Sequence, residues 1–94
     1  MKLNEIIEMD KKYYMNTFGN RTPVCFEYGK GINLWDTEGK KYYDFLGGVA
    51  VNSLGHSHPR LVSAIKDQAE KFIHCTSLYY IEPQAKLARL LADI

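Results

Sequence analysis

Apolar residues Ile6, Ile7, Met9, Tyr13 and Tyr14 recur with a helical period between Asn4 and Met15, which predicts a short amphipathic helix with Asn4 as its N-cap. The pattern breaks from Asn16 to Pro23, where Gly19 and Asn20 favour a turn and Pro23 drives Thr22 out of helical geometry. The period then changes. Val24 to Tyr28 predicts a strand, Gly29-Lys30-Gly31 a turn, and Ile32 to Trp35 and Lys41 to Phe45 two further strands around Asp36-Thr37-Glu38-Gly39. In that last connection Gly39 suits the left-handed position after a tight turn, which makes an antiparallel hairpin. Phe26, Tyr28, Trp35, Tyr42, Tyr43 and Phe45 combine apolar area with β propensity and are expected to form the core of the sheet.

Helical periodicity returns at Pro59, a residue suited to the first position of a helix, with His58 or Ser57 before it as a cap. Leu61, Val62, Ile65, Ala69 and Phe72 mark one face of it. A second helix is predicted near Pro83, with Leu87, Ala88, Leu91 and Ile94 as its buried stripe and Glu82 favouring the positive helix end. That stripe is still apolar at the last residue, with nothing to close the helix, so the chain is expected to be cut short. The fold class expected is α/β, in this segment α+β: an N-terminal helix, a three-stranded antiparallel meander and two following helices.

Ninety-four residues suit one small domain with only modest stability to spare and no easily enclosed large pocket. Twelve basic and eleven acidic residues are scattered along the chain, so nothing points to nucleic acid. No apolar stretch approaches the roughly 20 residues of a membrane span, and acidic residues in MKLNEIIEMDKK argue against a signal or transit peptide. A soluble cytoplasmic protein is the expectation. Cys25 and Cys75 stand far apart without a Cys-x-x-Cys pattern and read as reduced core or boundary residues.

Candidate chemistry is sparse. His56-Ser57-His58 supplies at most two metal ligands, and the spacing to His74 and Cys75 fits no zinc pattern, so turn and capping roles are assigned to the pair. Gly47-Gly48, followed by Val49-Ala50-Val51 and Gly55, has neither Walker nor G-x-G-x-x-G spacing. It lets main chain approach a ligand or a second subunit closely, or makes a tight crossover from sheet to helix. No serine lies in a G-x-S-x-G elbow, and Glu38 and Asp44, flanking the hairpin, are read as serving turn geometry and solvation.

Taken together, Met15-Asn16-Thr17-Phe18, Pro23-Val24 and the run GKGINLWDTEGKKYYDFLGGVAVNSLGHSHPRLVSAIKDQAEKFIHCTSLYY resemble the N-terminal part of class III aminotransferases, the pyridoxal-phosphate enzymes of fold type I. The resemblance covers nearly the whole chain. It implies a two-stage amino transfer in a cytoplasmic homodimer, with pyridoxal 5'-phosphate as electron sink. The nearest branch would move nitrogen between N-acetylornithine and 2-oxoglutarate in arginine synthesis. Ornithine, succinylornithine or 4-aminobutyrate aminotransferases of the same class, or a non-catalytic interaction module, are the alternatives.

By the same resemblance, residues 1–46 are the N-terminal part of the small domain, and 47–94 a glycine-rich crossover and helices leading toward the large domain. The family's phosphate-cupping motif, its aspartate for the pyridine nitrogen and its Schiff-base lysine lie in regions absent here. No catalytic or cofactor-binding residue is therefore assigned, and the isolated segment is expected to be inactive. Phe18, Gly48, Val49 and Ala50 match positions at the substrate entrance. Relatives often carry tyrosine at position 18, so Phe18 lacks a hydroxyl. Tyr79 or Tyr80 matches a segment near the dimer interface.

Overall fold

Residues 26–43 form a three-stranded antiparallel meander in the order β1 (Phe26–Lys30), β2 (Asn33–Asp36) and β3 (Lys41–Tyr43). The structure, a computed structural model, describes residues 1–94, all of the chain. Contacts divide it into two compact units, Met1–Val62 and Ser63–Ile94. The first holds α1 (Leu3–Tyr13), the meander, a single turn α2 (Gly47–Ala50) and the start of α3 (Pro59–Lys71); the second holds the rest of α3 and α4 (Glu82–Asp93). The outcome is the expected α+β segment. No helix is long and apolar enough to cross a membrane.

The first two strands lie later than their composition suggested, and the third is shorter. Gly29 and Lys30, expected in the turn, pair with Leu34 and Asn33, and a bulge between Phe26 and Tyr28 sets Phe26 opposite Asp36 and Tyr28 opposite Trp35. Because a bulge inserts one unpaired residue, it reverses the facing of everything before it. Tyr28 stacks on Trp35 on one face, with ring centroids 4.7 Å apart, and Phe26 meets Tyr42 edge-on at 5.4 Å on the other. β3 ends two residues before Phe45, although the Asp44 amide still donates to the Ile32 carbonyl, 2.8 Å away, in the register of the β2–β3 ladder.

Asp36 sits at the end of β2, not in the turn. Only 7% exposed, it is the one buried residue of the chain. Its Oδ1 accepts the Glu38 and Lys40 amides at 2.9 Å each, and its Oδ2 accepts the Tyr42 hydroxyl at 3.1 Å. Gly39 takes the left-handed backbone expected of it, at φ 81.

Helix α1 begins two residues earlier than predicted, with Lys2 and not Asn4 as N-cap. Lysine has no acceptor for the first-turn amides, so only the return bond forms, from the Lys2 amide to Glu5 Oε2 at 3.0 Å. Pro59 does open α3, and of the two cap candidates the structure selects His58, whose Nδ1 accepts the Arg60 amide at 3.2 Å. In α4 the first-turn Glu82 pairs with Lys86.

Two expectations about burial fail. No apolar side chain is buried, neither the aromatics of the meander, with Phe45 at 88% exposure, nor Leu87, Leu90, Leu91 and Ile94 along α4. The chain exposes 8900 Å², where a folded monomer of its mass exposes roughly 5,500 Å². A three-stranded sheet with no second layer against it cannot cover both of its faces.

A steric constraint links the sheet to the Gly55–His56 segment. A methyl group on Gly29 would lie 2.8 Å from both Cβ and Cγ of His56 and 2.9 Å from Leu34 Cδ2, and Gly29 is not in the left-handed region, so the obstacle is purely one of space. Gly29→Ala is expected to lower stability by about 1–3 kcal/mol in denaturant unfolding of the protein carrying this chain; an unchanged midpoint would show that His56 yields freely.

Candidate functional site

Where the sheet ends, Asp44 turns its side chain into the next segment. Oδ1 accepts the amides of Leu46 and Gly47 at 3.0 and 2.8 Å, and Oδ2 lies 2.6 Å from His56 Nε2. An ionised carboxylate only accepts, so the proton of that bond sits on Nε2. The Asp44 carboxyl is held below its ordinary value of 3.8, first by the Gly47 amide, then by the His56 side chain against some opposing desolvation, with the Leu46 amide and the His56 charge adding to the effect. Asp36 is lowered too: desolvation is the largest influence and raises it, but the amides of Lys40 and Glu38, the Tyr42 hydroxyl and the Lys40 charge together outweigh it.

His56 is anchored by its main chain as well. Its amide donates to the Gly31 carbonyl at 2.8 Å and its carbonyl accepts the Gly31 amide at 2.9 Å, which ties residue 56 to the β1–β2 connection. Gly55 makes this approach possible, because a Cβ there would sit 2.9 Å from the Gly31 oxygen. A single histidine thus joins the β1–β2 turn, by backbone, to the end of β3, by side chain.

The turn α2 that Asp44 caps is left-handed. Gly47, Gly48, Val49 and Ala50 all have positive φ, between 59 and 64, and bonds from the Ala50 amide to Leu46 O and from the Val51 amide to Gly47 O close it at 3.0 and 2.8 Å. Two glycines enter this conformation without penalty, but Val49 and Ala50 do not; left-handed backbone costs an L-residue roughly 1–2 kcal/mol, and a β-branched side chain there is a true outlier. A Cβ on Gly47 would meet nothing within 4 Å, and one on Gly48 would approach Asn52 Nδ2 at 3.3 Å. Within this chain the pair is needed for handedness more than for room. Val49 stands out at 76% exposure, and a cleft of about 220 Å³ takes in Gly47 of the turn together with Gly31, Asp44, Asn52, Gly55 and His56.

Gly48, Val49 and Ala50 therefore act as one structural unit. Phe18 belongs to a different cleft, between α1 and residues 15–25. There the Arg21 guanidinium lies 4.9 Å from the Tyr14 ring centroid and 5.4 Å from that of Phe18, and pairs with Asp10 at 2.8 Å. Tyr79 and Tyr80 lie exposed between α3 and α4, the Tyr79 amide donating to Thr76 O at 3.1 Å. His56 and His58 are committed to Asp44 and to the start of α3, and both cysteines are free thiols. The sequence pattern assigned Asp44 to turn geometry, which it serves, but missed its partner twelve residues on. An aspartate three residues before Gly47 is a capping signal; nothing local announces His56.

Comparison with known proteins matches residues 14–94 to the family described as Aminotransferase class-III. An acetylornithine aminotransferase of Methanopyrus kandleri is 54% identical over 86 residues, which are 92% of this chain and 22% of that protein. Among solved structures, the acetylornithine aminotransferase of Elizabethkingia anophelis superposes with a TM-score of 0.93 at 31% identity, over 99% of this chain and 24% of that one. A taurine:2-oxoglutarate aminotransferase from Bifidobacterium kashiwanohense, solved with PLP and glutamate, gives 0.88 at 30% identity, over 100% of this chain and 22% of that one. The chain thus spans about a quarter or less of the length of these relatives.

Class III aminotransferases are pyridoxal-phosphate enzymes. The residues of this chain do not by themselves fit that cofactor, whose aldehyde needs an amine and whose phosphate needs donors. The cleft beside His56 has neither lysine nor arginine among its lining residues, and in the cleft beside α1 Arg21 is taken up by Asp10 while Lys11 lies 3.9 Å from Glu8.

Because the carboxyls of Asp44 and Asp36 are lower when folded than in an unfolded chain, the stability they contribute is present above the ordinary value of 3.8 and is lost as pH falls through their lowered values. NMR titration of the side-chain carboxyls should place both midpoints below 3.8; midpoints at or above it would contradict the geometry described.

Proposed function

Because the chain belongs to the class-III aminotransferase family, we propose that it is the N-terminal part of an enzyme that moves an amino group between N-acetylornithine and 2-oxoglutarate in arginine biosynthesis. The observation that carries the substrate assignment is the 54% identity to an acetylornithine aminotransferase over 92% of the chain. The enzyme works in the cytoplasm as a homodimer with pyridoxal 5'-phosphate. Residues 1–46 form the helix and meander of its small domain, and 47–94 the crossover and helices leading toward the large domain.

Phe18 and the turn of Gly48, Val49 and Ala50 stand at the substrate entrance, and Tyr79 or Tyr80 at the face between subunits. Two features support this arrangement. The left-handed turn holds an apolar side chain out from the main chain at a strained position, as binding sites often do. The exposed leucines of α4 and aromatics of the meander are surfaces that a larger enzyme would cover. The cofactor is held by residues outside 1–94.

Purified full-length protein carrying this sequence should form glutamate from N-acetylornithine and 2-oxoglutarate, with kcat/KM at least about tenfold above that for ornithine, succinylornithine or 4-aminobutyrate. A higher value for any of the three would reassign the donor. The ninety-four-residue polypeptide alone should give no turnover and no shift of pyridoxal-phosphate absorbance. Turnover by it would refute an anchor outside the segment.

A further inference from the structure

Left unrestrained, the α2 turn would not keep its handedness, since Val49 and Ala50 both disfavour positive φ. Its restraint comes from one carboxylate. Oδ1 of Asp44 takes the two amides that open the turn, and Oδ2 is held by His56 Nε2. The pair is largely withdrawn from water, with 11% of the Asp44 and 21% of the His56 side chain exposed, so solvent and salt weaken it little. His56 is itself immobilised by its two main-chain bonds to Gly31 and by Gly29 against its ring. Removing the imidazole would free the carboxylate to rotate, loosening both amide bonds at once.

We propose that Asp44 and His56 are a positioning pair for the amino-donor substrate, holding the left-handed Gly47–Ala50 turn so that Val49 stays at a fixed height beside the donor's aliphatic chain. This rests on the reading of the chain as part of an N-acetylornithine aminotransferase with the turn at its entrance. Neither side chain touches the reacting atoms; both act through Val49. A purely structural role makes a different forecast, because loss of folded enzyme lowers apparent kcat and leaves KM unmoved, whereas a misplaced wall raises KM.

The experiment uses the full-length enzyme with its cofactor, correcting rates for cofactor content. His56→Ala should raise KM for N-acetylornithine about tenfold, equivalent to about 1.4 kcal/mol, with kcat within about threefold. His56→Gln, whose amide nitrogen stands where Nε2 does, should stay within about threefold of the parent in KM. If His56→Ala does not accumulate, Asp44→Asn, which keeps an acceptor for the Leu46 and Gly47 amides and gives up the charge, should raise KM in the same direction. An unmoved KM in the variant measured, or His56→Gln no better than His56→Ala, overturns the positioning role while the parent still transaminates N-acetylornithine. A parent inactive with that donor overturns the underlying reading and the positioning role with it.

Discussion

At the 2.6 Å bond between Asp44 and His56 three pieces of local structure meet. On one side lies the meander, whose last strand stops where the Asp44 amide reaches Ile32. On another lies the left-handed turn, whose opening amides Asp44 receives. The third is the Gly55–His56 segment, laced by main chain to Gly31. Because a carboxylate only accepts and has lone pairs for several donors, one side chain holds both the turn and the histidine, while its own main chain stays on the meander, without needing an apolar core around it.

That economy matters in a chain with no buried apolar side chain. Asp36 does for the β2–β3 connection what Asp44 does for the turn, gathering two amides and a tyrosine hydroxyl. Stacked and edge-on aromatic pairs secure the two sheet faces. The apolar stripes of α3 and α4 do not take part; apart from the half-buried Val62, their side chains lie in solvent. Polar latches specify geometry well but supply little net stability, since each hydrogen bond replaces one with water. The relatives that the chain matches are about four times as long or longer.

Most of the fold was legible because the signals were local. Pro59 opened α3, and Gly39 took the left-handed position. The errors have a common origin. The strand limits moved because a bulge at Phe26–Tyr28 adds a residue that composition does not reveal. The cap at Lys2 displaced Asn4 because a bond from Glu5 to the main chain outweighed a side-chain preference. Of the expected core aromatics Trp35 and Tyr42 are only half-buried and the rest exposed, because burial depends on a covering layer, which periodicity presumes but does not supply.

For the candidate site, the glycine pair before Val49 and an aspartate three residues ahead of Gly47 were visible in the amino-acid order, as was the resemblance carried by residues 15–80. These determined to which family the chain belongs, and left the glycine run open between a tight crossover and a close approach to a ligand or second subunit. Only the tertiary structure decided the handedness of that turn, the placing of Phe18 in a separate cleft and the partnership of Asp44 with His56. The physical reason is range. Turn and helix signals act between residues within a few positions of each other, whereas Asp44 and His56 meet only because Gly55 lets its main chain come against that of Gly31 and Gly29 leaves room for the His56 side chain.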